Sequence, residues 1–325
     1  MNKLTLTLAT MLIASCFVLG IFVPGSQSDE QESVAVEQLA QTVEAEDSVD
    51  SEAGAEAEDV SNELTELIES YLLETGIDTS QLGIAVYDFE SGGSYALNDT
   101  TYFTAASTYK LPLAMLYYEM INNGEYLLSD ELLYESYHYE EGGTICYDYL
   151  PGSSISIEEL LHCMILYSDN TAAHILYENL GGWQAFKEAA AKYSDTAIAE
   201  TDSEYYSGEN EFTAAYMEDV LDYLHTNADD FETLLDDMQQ AMPDDYLNMY
   251  IGDGMAQKYG QYEMAENAVG ISMSGHPYSI AVFTSLGYTG RLLIGDVNEL
   301  LWQYFNAATD NKNISPEESA EAAAA

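Results

Sequence analysis

Along the chain the spacing of apolar positions changes from helical to alternating and back. Leu64, Leu67, Ile68, Tyr71 and Leu72 recur every three or four residues, which predicts an amphipathic helix. The stretches "QLGIAVYDFES" and "SYALN", joined by a Gly-Gly turn at residues 92 and 93, then predict a strand hairpin. Helical patterns fill the middle of the chain, over residues 107–122, 156–167, 170–180, 183–192 and 212–225. Near the end "AENAVGISMS", a turn at "GHP" and "YSIAVFTSLG" predict a second hairpin, and "GDVNELLWQYF" predicts a terminal helix.

Strands at both ends with helices between them predict an α+β fold of three-layer α/β/α sandwich type. One antiparallel sheet is made from the two chain ends and carries an inserted all-helical subdomain. The expected folded unit is 61–308, and no internal repeat is visible.

The flanks read differently. Residues 1–25 hold Lys3 and then an uncharged run from Leu4 to Val23, which predicts a signal peptide or an N-terminal membrane anchor. "IASC", ending at Cys16, is similar to a lipoprotein cleavage box, but the apolar "FVLGIFV" follows it, so lipidation ranks third. Each of these readings puts the rest of the chain outside the cytoplasm, extracellular or anchored and facing the cell exterior. Residues 26–60 are rich in Glu, Asp, Ser, Ala and Gln without an aromatic, the composition of a disordered acidic linker. Residues 309–325 read as a disordered acidic tail.

Composition narrows the function classes. The 325 residues are 47% hydrophobic, enough for a packed core. Seven Lys and Arg against 58 Asp and Glu give a net charge of −51, which repels nucleic acid phosphates and sets nucleic-acid binding aside. Cys146 and Cys163 lack histidines at ligand spacing, so they predict a disulfide or two buried thiols rather than a zinc site. His162 and His174, beside apolar neighbours on helical patterns, read as packed or partly exposed side chains.

Against that acidity, the placement of the few cations is informative. In "FTAASTYKLPLAMLYY" Lys110 follows Ser107 by three residues, so on a helix the hydroxyl and amine share a face. A serine hydroxyl becomes a good nucleophile when a neighbouring base takes its proton, and a lysine whose pKa is lowered by burial can be that base. Alone, Ser and Lys at a helix start are common. A second cluster, "YSDNTAAHIL", places Ser168, Asp169 and Asn170 at the head of an amphipathic segment, and "MAQKYGQY" places Lys258 and Gly260 before the second hairpin.

With these three clusters in order, the chain resembles the class A β-lactamase and penicillin-binding serine hydrolase family over roughly residues 65–307. "STYK" and "SDN" match the family in their surroundings as well as their motifs, and "KYG" stands where the family has lysine-threonine-glycine. The resemblance implies a β-lactamase/transpeptidase-like fold and a serine hydrolase acting on β-lactam or D-Ala-type amide bonds. In those roles Ser107 attacks the carbonyl, Lys110 accepts or relays its proton, and Ser168 carries a proton to the leaving nitrogen. Asn170 binds the substrate amide, Lys258 faces the substrate carboxylate, and the N–H groups of Ser107 and Gln261 form the oxyanion hole. Tyr259 departs from the family's threonine, while Gly260 keeps its glycine.

For deacylation the family uses a glutamate some three dozen residues beyond the SDN element, and an ungapped reading lands on Glu204 in "AETDSEYYSGENEF". The family's following leucine-asparagine pair is replaced by Ser207 and Gly208. The implied partner is a small-molecule β-lactam or peptidoglycan peptide, handled by a monomer with no cofactor and no metal. The leading function is β-lactam hydrolysis. The alternatives are a penicillin-binding D,D-peptidase-like cell-wall enzyme and a catalytically weak surface protein that retains the scaffold.

Overall fold

The computed structural model describes residues 53–194 and 204–313. The expected leader at 1–25, Cys16, most of the acidic linker and the end of the tail lie outside the described residues. Two boundaries differ from expectation. Residues 53–60, assigned above to the linker, open a helix that runs over 53–75 (α1), and Val60 packs at the edge of the core. "AGAEAEDV" is rich in strong helix formers, so the amphipathic segment extends backward once Leu64, Ile68 and Leu72 anchor it. At the other end the terminal helix continues past residue 308 to Asn313.

The sheet is assembled from β1 (Leu82–Asp88), β2 (Ser94–Leu97), β7 (Met255–Tyr262), β8 (Ala265–Ser272) and β9 (Tyr278–Thr284). Its order is β2-β1-β9-β8-β7, antiparallel throughout, so the N-terminal hairpin pairs with the last strand of a C-terminal meander. The segment carrying Lys258 is itself a strand of this meander, not a lead-in to a hairpin. Its register pairs Lys258 with Val269 and Gly260 with Asn267.

Strand periodicity divides the core between the two faces. Ile84 and Val86 of β1 point to a cluster with α1 and the terminal helix α8 (Tyr288–Asn313). Ala85 points the other way, into the helical subdomain. That subdomain contains α2 (Lys110–Asn122), α3 (Ile157–Leu166), α4 (Asn170–Asn179), α5 (Trp183–Ala190), α6 (Ala214–Thr226) and α7 (Glu232–Gln240). Ser156, Asp169 and Thr213 cap α3, α4 and α6 through side-chain oxygens. The result is the expected three-layer α+β arrangement.

Two short ladders brace the subdomain. β3 (Phe103–Thr104) pairs with β6 (Glu211–Phe212), and β4 (Glu131–Leu133) pairs with β5 (Ser154–Ser156). The first ties the chain entering the Ser107 turn to a segment more than a hundred residues later. Cys163 is a buried free thiol whose Sγ lies 3.4 Å from Thr144 Oγ1. No helix among the described residues is long and apolar enough to cross a membrane.

Candidate active site

Ser107 lies in a 3-10 turn, Ala106–Tyr109, that runs directly into α2. Ala106 is held at φ 49°, a costly conformation for alanine. Surrounding hydrogen bonds fix it: Asn210 Nδ2 donates to the Ala106 carbonyl (2.9 Å), and Ala105 N–H donates to the Asn210 carbonyl (2.9 Å). Behind this segment the wholly buried Lys187 of α5 donates to the backbone carbonyls of Glu209 (3.5 Å) and Glu211 (3.0 Å). Its amine lies over the rings of Tyr205 (4.2 Å) and Phe212 (4.1 Å).

The three predicted clusters converge. Lys110 Nζ lies 3.0 Å from Ser107 Oγ, 2.6 Å from the Ser168 carbonyl, 3.3 Å from Ser168 Oγ and 2.6 Å from Asn170 Oδ1. From the opposite wall Lys258 Nζ reaches Ser168 Oγ (3.1 Å) and the Tyr259 carbonyl (2.8 Å). Ser168 thus stands between two lysines. It adopts φ 57°, which turns its carbonyl toward Lys110 while Asp169 caps α4.

Both amines are fully buried, and burial governs their chemistry. It pushes Lys110 down to about 7, while Asp169 and Glu140 pull in the opposite direction. Lys258 is held well below the ordinary lysine value by burial and then by the charge of Lys110. A neutral Lys110 has two hydrogens. The Ser168 carbonyl and Asn170 Oδ1 accept without having a proton to return, so they take both and leave the nitrogen lone pair for the Ser107 hydroxyl.

Strand β7 closes the far wall. A Cβ at Gly260 would lie 2.8 Å from both the Ala105 carbonyl and the Ser107 nitrogen, so only glycine lets the strand lie this close to the nucleophile turn. Asn267 Nδ2 fastens β8 to the same turn through the Thr104 and Ala105 carbonyls. The Tyr259 ring stacks on Tyr246 and lies 4.1 Å from Lys258 Nζ. Burial raises its phenol above the usual value, opposed by a hydrogen bond with Ser168. Tyr259, which stands where the family has threonine, thus meets the site at Ser168.

These elements enclose a cleft of about 410 Å³, lined by Ser107, Tyr109, Asn170, Gln261 and Tyr262 together with Glu140, Glu209, Asn210 and Glu211. A larger hollow of about 680 Å³ lies against α1 and β2, with none of the predicted site residues in its lining.

The cleft thus sets a half-buried serine beside a buried lysine, a second serine between two lysines, and a glycine strand against the nucleophile's N–H. A family model described as the Beta-lactamase enzyme family matches residues 59–305. The chain belongs to this β-lactamase family. Over 120 residues it is 29% identical to the β-lactamase of Bacillus subtilis (strain 168), a match that covers 36% of this chain and spans only 37% of that protein. Among solved structures it is similar to PBP-A (TM-score 0.65, 22% identity, 74% of this chain and 96% of that one). It is also similar to the β-lactamase of Sphaerobacter thermophilus DSM 20745 (0.62, 21%, 73% and 96%) and to the TLA-1 extended-spectrum β-lactamase (0.62, 20%, 75% and 98%). These likenesses establish the β-lactamase/transpeptidase-like fold.

Of the expected site residues, Ser107, Asn170 and Gln261 line the cleft, Lys110 and Lys258 are buried against Ser168, and Glu204 stands apart from these contacts. It is exposed, precedes the turn Tyr205–Ser207 and is not among the residues lining the cleft. The acidic groups that do face the cleft, Glu140, Glu209 and Glu211, were missed, and so was the anchoring Lys187. Their signal was weak, because one acid among 58 carries little information. Among the described residues, no group of three or more His, Cys, Asp or Glu side chains could hold a metal ion.

Proposed function

We propose that the protein is an extracytoplasmic serine hydrolase, acylated on Ser107, that hydrolyses β-lactams as a monomer without metal or cofactor. The observation that carries this reading is the 3.0 Å contact between Ser107 Oγ and the buried Lys110 amine, with Lys110's two other short contacts made to pure acceptors. Ser107 Oγ forms a bond to the lactam carbonyl carbon as its proton passes to Lys110. The C–N bond then breaks, and Ser168 delivers a proton to the departing nitrogen, replenished from Lys110 or Lys258. Water hydrolyses the resulting ester. Asn170 binds the substrate amide, Lys258 and Tyr259 meet the substrate carboxylate, and the N–H groups of Ser107 and Gln261, beside Gly260, stabilise the oxyanion. One such donor contributes about 3–4 kcal/mol to the barrier. The uncharged run from Leu4 to Val23 supports export or anchoring at the cell exterior.

A second reading is a penicillin-binding D,D-peptidase-like enzyme whose acyl adduct persists. It is favoured by the position of Glu204 outside the cleft lining. PBP-A itself has been solved, as a variant, in an acyl-enzyme complex with penicillin G. Nitrocefin turnover combined with intact-protein mass separates the readings. Steady colour release that is lost in Ser107→Ala supports the hydrolase. A stable stoichiometric mass gain without turnover supports the peptidase type. Absence of any mass gain removes the acyl-serine reading.

A further inference from the structure

The residues lining the cleft share a bias that the acyl-transfer chemistry does not require. Glu209, Glu211 and Glu140 all line it with Ser107, Glu140 keeping one oxygen 3.0 Å from His174 Nδ1, and no lining residue is a lysine or arginine. The two site lysines are buried behind the serines, and Lys187 lies beneath the Glu209–Glu211 backbone.

The side-chain amides add to this bias. Asn170 Nδ2 is committed to the Glu141 carbonyl (2.6 Å), Asn210 Nδ2 to the Ala106 carbonyl (2.9 Å) and Gln261 Nε2 to Glu266 (2.8 Å). Each of these amide nitrogens thus spends one of its two hydrogens within the protein. Carboxylates in the lining call for a ligand group that donates. Tyr262, also in the lining and exposed, offers a ring face suited to a cation.

We infer that the cleft selects acyl donors whose side chain carries an ammonium group, and that Glu209, Glu211 and Glu140 determine this preference. The inference rests on the reading of Ser107 as the acylated residue. The ammonium sits beside the β6 segment and leaves the carboxylate end of the substrate to the Lys258 side. The charge field of the chain, at −51, works in the same direction by concentrating cationic and zwitterionic ligands over anionic ones.

The test compares ampicillin with penicillin G, which differ by a single amine on the acyl side chain, at a pH where that amine is protonated. The quantity read is the second-order rate constant for acylation of Ser107, which is insensitive to how the adduct is later hydrolysed. Ampicillin is expected to react faster at low salt. The advantage should shrink at about 0.5 M salt, where the screening length falls to roughly 4 Å. In Glu209→Gln/Glu211→Gln the ratio of the two rates should fall about two- to fivefold per carboxylate, and Glu211→Asp should retain most of it. Equal rates for the two penicillins, or a ratio unmoved by both salt and the double variant, overturn the preference while leaving the acyl-serine reading intact. The salt series on the unaltered chain keeps the inference testable if the double variant does not fold. No mass gain with either penicillin overturns the acyl-serine reading, and this inference with it.

Discussion

Lys110 Nζ stands 3.0 Å from Ser107 Oγ, one helical turn further along the chain, in a position closed to solvent. Burial is what makes the amine useful, since it brings Lys110 down to about 7 against the pull of Asp169 and Glu140. The base must be unprotonated to accept the serine proton, so the active fraction grows as pH rises through that value. Acylation by penicillin G is therefore expected to increase about tenfold per pH unit below 7 and to level off above it. Stopped-flow acylation across this range checks the sign, and a profile that falls with pH would move the base elsewhere. Lys110→Arg, which stays charged at all these pH values, should lower the rate by about 10²–10⁴.

Deacylation divides the carboxylates by position. Glu204 is exposed and outside the lining, whereas Glu140, Glu209 and Glu211 face the cleft. Glu204→Gln is expected to leave the acyl-enzyme lifetime within about twofold, whereas loss of a true general base extends it by about 10²–10⁴. Time-resolved mass spectrometry of the penicillin G adduct decides the matter. A hundredfold longer lifetime in Glu204→Gln would show that this residue reaches the ester after all.

How much of this could be read before the coordinates depended on whether the information is local. Ser107 and Lys110 share one turn, and Ser168, Asp169 and Asn170 form one helix cap, so spacing alone placed each group correctly. The sheet made from both chain ends followed from two hairpins with alternating patterns. Strand β7 was harder, because Gly260 interrupts the pattern and Lys258 is a charge buried on the core face. The pairing of β3 with β6, which brings Glu209 and Glu211 to the cleft, spans more than a hundred residues and leaves no periodic trace in either segment. Glu204 rested on a residue count alone, without the flanking residues that support the other clusters. The helix α7 was passed over because Leu234, Leu235 and Met238 make only a short apolar face among acids.

Gly260 gives a steric prediction. An added methyl group would meet the Ala105 carbonyl at 2.8 Å, the Ser107 nitrogen at 2.8 Å and the Thr108 nitrogen at 3.1 Å, all of them backbone. The backbone cannot yield as a flexible side chain would, so β7 or the nucleophile turn must move. Gly260→Ala is expected to cost about 1–3 kcal/mol of stability. It should also slow acylation by about 10²–10³, through displacement of the oxyanion donors. Denaturant unfolding and acylation kinetics on one preparation check both parts, and an unchanged acylation rate would remove the Ser107 N–H from the oxyanion hole.

Glu218 of α6 is packed against the sheet, accepts a hydrogen bond from Ser279 Oγ at 3.2 Å, and is pushed up to about 7, chiefly by burial and then by Asp219. Between its unfolded value near 4.5 and about 7 the folded protein holds a proton that the unfolded chain has released. Stability from this group is therefore present at low pH and lost as pH rises through that window. At pH 8 the buried charge costs on the order of 2–3 kcal/mol, which Glu218→Gln should recover while keeping an acceptor for Ser279. Chemical denaturation of the two proteins from about pH 4 to pH 8 is expected to show curves that coincide at the acid end and separate above about pH 5, with the glutamine variant the more stable. A glutamine variant less stable at every pH would mean that the carboxylate is stabilised by contacts that outweigh its desolvation.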